Sequence, residues 1–228
     1  MAYFLQQLVN GLTVGCVYGL MAMGYTMVHA IIGQINLAQG AIFMIGAFGT
    51  YVAITLLGIL GLGATPAALL LALLLAIILT AAHGWASHRV IFRPLVRRGP
   101  GYAPLIAAIG LAIFLKEYVR LLQDAGDFWL SPMIIGGFRL FETGPFTLWL
   151  GYRQILIVLL TGVVLAAHGL LVTRTTLGRT QRACAQDPGM AALVGIDVAR
   201  TVGSTYALAA ALAAVAGMVV TVHYTKVH

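Results

Sequence analysis

The first formally charged side chain in this sequence is Arg89; the 88 residues before it hold no Asp, Glu, Lys or Arg. A soluble domain needs charge on its outer surface, so a stretch of this length has to find its solvent in lipid. An Asp, Lys or Arg at the centre of a helix in hydrocarbon costs about 2.5–3.5 kcal/mol on insertion scales. Their absence over three helix lengths is the pattern that penalty produces. Across all 228 residues, 61% are hydrophobic and 8% are charged; soluble domains run at about 25% charged. Mean hydropathy is +0.99. The composition specifies an integral membrane protein.

A hydrocarbon core about 30 Å thick needs roughly 20 apolar residues of helix. Six segments meet that length: 8–28, 41–60, 66–88, 102–122, 154–173 and 202–222. The expected fold class is therefore all-α, a polytopic helical membrane protein of about six transmembrane spans forming a single transmembrane domain over 1–228. The fourth span is the least clean, because Lys116, Glu117 and Arg120 fall in its last turns. The two basic side chains lie one turn apart and can snorkel to an interface, and Glu117 and Arg120 can pair at i, i+3.

The connecting segments differ in charge. Residues 89–98 hold Arg89, Arg93, Arg97 and Arg98 and no acid. Residues 123–152 hold Asp124, Asp127, Glu142 and Arg139, with Trp129, Trp149 and Tyr152 as interface aromatics. Residues 174–200 hold four arginines and two aspartates. The positive-inside rule makes 89–98 a cytoplasmic basic loop and 174–200 a second cytoplasmic loop. It puts 123–152 on the outer side, and span parity then puts the N-terminus there too. The net charge of +7 is not a nucleic-acid signature, because the arginines sit between apolar runs and not on one basic face.

Two kinds of segment interrupt the apolar pattern. Residues 33–40, Gly-Gln-Ile-Asn-Leu-Ala-Gln-Gly, carry three amides and no charge. Non-helical backbone at membrane depth survives where protein or a watery cavity satisfies it, so one reading is a broken or re-entrant helix whose Gln34, Asn36 and Gln39 line a path. The other is a tight turn whose amides cap helix ends. In the basic segment, Asp187-Pro188 reads as a helix cap and first turn, and Gly195 suits a left-handed C-terminal position. A short surface helix over 188–194 is expected. Small-residue stripes occur at Gly11, Gly15 and Gly19 and at Ala209, Ala213 and Gly217. Such stripes let helices approach closely in lipid, either within the chain or at a subunit interface.

Three separated segments, 11–24, 35–40 and 178–196, taken in order and spacing, resemble the permeases of branched-chain amino acid ATP-driven importers. The closer likeness is to the smaller permease subunit of the high-affinity system, and it covers nearly the whole chain. The resemblance implies one half of a bacterial inner-membrane channel, paired with a second permease subunit and two cytoplasmic ATP-binding subunits. A periplasmic substrate-binding protein would deliver a branched-chain or similar amino acid. It implies that 174–200 is the loop that docks on an ATP-binding subunit. Ala185, Asp187, Ala191, Ala192 and Gly195 are then contact or shape residues, and Arg179 and Arg182 are available for charge pairing. Relatives often carry an acid where Ala41 stands, and they extend further beyond the sixth span, so the chain is expected to be incomplete relative to the family.

No cofactor or metal is expected. His29, His83, His88, His168 and His223 fall at span ends or within spans without a metal-binding spacing. His168, as an intramembrane ionisable residue, is the functional candidate among them, against a neutral structural role. No phosphate-binding GxxxxGK[ST] loop occurs, so ATP chemistry belongs to other chains and the protein itself is not expected to be an enzyme. Three rivals remain. A secondary transporter or channel is disfavoured by span interiors that lack charge. A membrane-embedded enzyme has no convergent polar set. A related permease for urea, amides or sugars is the third.

Overall fold

The computed structural model describes residues 2–62, 65–98, 101–123, 128–129, 136–143, 146–224 and 226–227. Asp124 and Asp127 of the expected outer loop lie outside the described residues, as do the side chains of Arg97, Arg98, Trp129 and Glu142.

The helices follow the apolar runs. They are α1 (Ala2–Ile32), α2 (Gln39–Ile59), α3 (Pro66–Ser87), α4 (Arg93–Arg98), α5 (Ala103–Leu122), α6 (Tyr152–Arg174), α7 (Thr176–Gln186), α8 (Pro188–Leu193) and α9 (Val198–Tyr224). Pro66 opens α3 behind Thr65, whose hydroxyl accepts from the Ala68 N–H. Among the described residues, five helical stretches are long and apolar enough to cross a membrane: Tyr3–Ile32, Gln39–Ile59, Pro66–Val96, Tyr152–Arg174 and Val198–Tyr224. The remaining expected span, the fourth, is α5, which has the length of a span but carries Lys116, Glu117 and Arg120 in its last turns. Those charges are exposed, and Arg120 pairs with Glu117 at 3.4 Å, while Leu111, Leu115 and Val119 on the same helix are buried.

α3 does not stop at Ser87. It runs through one π-helical stretch, His88–Phe92, directly into α4. The Arg93 N–H donates to the His88 carbonyl, which closes an i→i+5 turn.

The bundle is organised around α9. Thr205, Ala209, Leu212, Ala213, Ala216 and Val219 are buried along it, and α1, α2 and α3 all pack against it. Close approach depends on missing side chains. A Cβ at Gly217 would lie 2.5 Å from the Ala47 nitrogen, one at Gly46 2.7 Å from the Ala214 Cα, and one at Gly84 2.8 Å from the Tyr206 carbonyl oxygen. Between these backbones dispersion acts at full packing density, which is what holds helices together in lipid where hydrophobic expulsion is absent. α1 turns Thr13, Leu20, Gly24 and Val28 inward.

The segment expected as an outer loop folds in part as a hairpin. β1 (Phe128–Trp129) pairs antiparallel with β4 (Lys226–Val227), and β2 (Gly137–Thr143) pairs antiparallel with β3 (Phe146–Gly151). In the larger hairpin Gly137 faces Gly151 and Arg139 faces Trp149, with a bulge between Arg139 and Phe141. It rests on the start of α1. The Trp149 N–H donates to Gln6 Oε1 at 2.9 Å, and Gln154 Nε2 donates to Asn10 Oδ1 at 2.9 Å.

Candidate functional site

The two helix ends α1 and α2 meet at the amide-bearing turn. Gly33 has φ +71°, and its N–H returns to the His29 carbonyl at 2.8 Å, so α1 ends in a left-handed glycine. Asn36 then builds the entry to α2. Its Oδ1 accepts from the Ala38 N–H at 3.1 Å and its carbonyl accepts from the Gln39 N–H. Both Gln39 and Asn36 are buried. Gln39 reaches across the bundle, donating from Nε2 to the Ala209 carbonyl at 2.9 Å. Gly24 makes room for this amide, since a Cβ there would fall 2.8 Å from Gln39 Nε2. Gln34 donates to the Gly101 carbonyl, at the start of the run into α5. Two amide atoms here, Gln34 Oε1 and Asn36 Nδ2, are buried without a hydrogen-bond partner among the described residues. The segment is thus a tight interhelical turn in this conformation, with two unspent polar atoms.

The basic segment forms two short helices joined at Asp187. Thr175 caps α7, its hydroxyl accepting from the Gly178 N–H at 3.2 Å. One face of α7 is buried at Gly178, Gln181 and Cys184. Gln181 Nε2 donates to Thr205 Oγ1 of α9 at 2.9 Å. Burial pushes the Cys184 thiol pKa up, and a hydrogen bond with Thr201 offsets part of that rise. Arg182 donates to the Val172 carbonyl, and Arg179 is exposed.

α8 is fixed at both ends. The Asp187 carboxylate accepts from the Gly189 N–H at 2.8 Å and the Met190 N–H at 3.0 Å. At the other end Gly195 has φ +86°, its N–H donates to the Ala192 carbonyl, and the Ile196 N–H donates to the Ala191 carbonyl. That pair of bonds is the Schellman ending. Ala191 faces inward, whereas Ala185, Ala192 and Gly195 are exposed. The outer surface of this turn is apolar: Met190 is 62% exposed, Leu193 82% and Val194 77%. Sequence reasoning had not singled out these three, although an apolar triplet between a cap and a left-handed glycine was visible.

The small-residue stripes have different surroundings. Ala209 and Ala213 are buried, and Gly217 is in backbone contact with α2. Gly11, Gly15 and Gly19 lie on the face of α1 turned away from α9, and among the described residues nothing beyond their own helix backbone lies within 4 Å of where a Cβ would stand. His168 is half-buried on α6. Among the described residues no group of three His, Cys, Asp or Glu could hold a metal ion.

A cavity of about 230 Å³ lies between α1, α2 and α9, lined by Val14, Val17, Met21, Phe43, Val220 and His223 among others. His223 Nδ1 is a buried atom without a hydrogen-bond partner among the described residues.

The model of the family described as branched-chain amino acid transport system / permease component matches residues 7–228. The chain is 44% identical over 222 residues to the high-affinity branched-chain amino acid transport system permease protein BraD of Pseudomonas aeruginosa, covering 97% of this chain and 72% of that one. It is 38% identical over 216 residues to LivH of Escherichia coli K12, a protein of the same description, covering 95% of this chain and 70% of that one. A probable branched-chain amino acid transport permease of Methanocaldococcus jannaschii is 29% identical over 204 residues. No solved structure matches. With a helical bundle of membrane-spanning length and a family match over nearly its whole extent, the chain belongs to the branched-chain amino acid transport permease components.

Proposed function

We propose that this permease carries branched-chain or similar amino acids inward as half of a membrane channel. A second permease subunit, two ATP-binding subunits and a substrate-binding protein complete the assembly, and the membrane is a bacterial inner membrane. The observation that carries the reading is α8. It is a single helical turn locked by Asp187 and Gly195 and presenting Met190, Leu193 and Val194 outward. A partner that seats these three apolar side chains gains buried area, and a locked turn transmits displacement without melting. Through α7 and the Gln181–Thr205 bond the displacement reaches α9, around which the bundle is packed.

The charge distribution supports the orientation. One end of the bundle carries Arg89, Arg93, Arg97, Arg98, Arg174, Arg179, Arg182 and Arg200 against Asp187 and Asp197. The other carries basic and acidic residues in near balance. The positive-inside rule puts the first end in the cytoplasm, where ATP is, and the N-terminus in the periplasm. The outward stripe of Gly11, Gly15 and Gly19 suits close approach by the second permease subunit, and Gln34 and Asn36 keep polar atoms available for a path that opens on alternation.

The test is leucine uptake into proteoliposomes holding the complete assembly. Uptake should require ATP, and Asp187→Arg and Gly195→Trp should each leave membrane insertion intact while abolishing ATP-driven uptake. Uptake that ignores ATP, or that survives both substitutions, defeats the reading.

A further inference from the structure

A polar groove lies where α3 passes through its π-helical stretch beside the start of α9. It encloses about 530 Å³ and is lined by Trp85, Arg89, Arg93, Asp197, Arg200 and Ser204, with His88 at its wall. Three guanidinium groups meet one carboxylate. Asp197 is engaged as the cap of α9, accepting from the Arg200 N–H at 3.0 Å. Among the described residues no carboxylate lies within ion-pairing distance of Arg89, Arg93 or Arg200. Arg89 lies 5.4 Å from the centre of the Trp85 ring, and the π-turn that sets Arg93 one turn beyond His88 is of the kind found at functional sites.

Helix length places this groove at the membrane boundary. About 20 residues of helix cross the hydrocarbon core, so α3, starting at Pro66, reaches the headgroups near Trp85. Counted back from Tyr224, α9 reaches the same level near Thr205. The groove therefore opens at headgroup depth, with an interfacial tryptophan on its rim. It runs down to Ala207 within the span. A surface docking partner would use the charged rim alone. A ligand with a phosphate at the rim and hydrocarbon below fills the whole groove.

We propose that this groove binds the phosphate headgroup of an anionic glycerophospholipid, with Arg89, Arg93 and Arg200 as its cationic wall. Basic pockets between helices at this depth are the usual form of such sites. The inference rests on the bundle spanning a bilayer and not on which amino acid is carried.

The test uses the full chain with Trp129→Phe and Trp149→Phe, so that Trp85 alone fluoresces, in phosphatidylcholine vesicles. A small fraction of the lipid is phosphatidylglycerol or phosphatidylcholine brominated high on the acyl chain. Brominated phosphatidylglycerol should quench Trp85 at a several-fold lower mole fraction than brominated phosphatidylcholine. Arg93→Gln with Arg200→Gln should erase that preference with helicity unchanged, and Arg93→Lys with Arg200→Lys should keep most of it. Equal quenching by the two lipids overturns the proposal. So does relief of quenching by millimolar inorganic phosphate, which assigns the arginines to a soluble anion. A preserved lipid preference in the glutamine variant, with ATP-driven uptake lost, assigns them to a protein partner and overturns it equally.

Discussion

The side-chain amide of Gln39, one residue into α2, donates to the backbone carbonyl of Ala209 on α9 across 2.9 Å, inside the space left by the missing side chain of Gly24. Three helices converge on one hydrogen bond. Interhelical bonds of this kind in membrane proteins are worth about 0.6 kcal/mol on average and up to about 1.7. Gln39→Leu should therefore destabilise the detergent-solubilised protein by about 1 kcal/mol, read from its thermal midpoint. Gly24→Leu, which thrusts a side chain into the amide, should cost more.

Gly217→Val should be far worse. Its Cβ has no space against the α2 backbone at Ala47, and overpacking in a tight core costs about 1–3 kcal/mol or more. Gly15→Val, on the outward stripe, should leave the isolated chain's thermal midpoint within about 0.5 kcal/mol of the parent. If it lowers uptake by the reconstituted assembly, the loss reports on a neighbour and not on this chain's own packing.

The ends of α8 make separable predictions. Asp187→Asn retains an N-cap acceptor and should preserve coupled uptake, whereas Asp187→Ala should cost about 1 kcal/mol locally. Gly195→Val forces a β-branched residue to φ +86°, at a cost of roughly 1–2 kcal/mol. Hydrogen exchange should show faster opening of α8 in both destabilised variants, with exchange in α9 unchanged.

Cys184 and its neighbour supply a packing and topology test. Cys184 is fully buried and its pKa is raised by that burial, so little thiolate is present near neutral pH and maleimide labelling should be slow. A cysteine placed at exposed position 185 (Ala185→Cys) should label rapidly from the side on which α7 and α8 lie. Labelling of that cysteine only from outside intact cells would invert the proposed orientation.

The helices were legible because lipid enforces their spacing: charge is excluded over the length of a span, and six runs resulted. The ends of α8 were legible because capping is local, and Asp187 and Gly195 carry their own backbone requirements. What escaped was everything that depends on facing. In lipid a helix is apolar all round, so hydrophobic periodicity does not say which side turns inward. The two small-residue stripes therefore look alike in sequence, yet Gly217 interlocks with α2 and Gly15 meets no other element among the described residues. Gln39 looked like a path residue or a cap, and its bond to Ala209, 170 residues away, belongs to tertiary structure alone. The β2–β3 hairpin was hidden because its alternation is submerged in a chain that is apolar throughout. The continuation of α3 through its π-turn leaves no signature that distinguishes it from an ordinary basic loop.

Helix α9 is held at its basic end by the Gln181–Thr205 bond and near its other end by Thr221, whose hydroxyl reaches the Ala47 carbonyl at 3.3 Å. At about 1.5 Å per residue the rod between those two grips is some 24 Å long. Glycine contacts without slack leave it no freedom to bend privately. Under the docking proposed at α8, a nudge delivered at Met190 would therefore arrive on the far leaflet as a tilt of the entire rod.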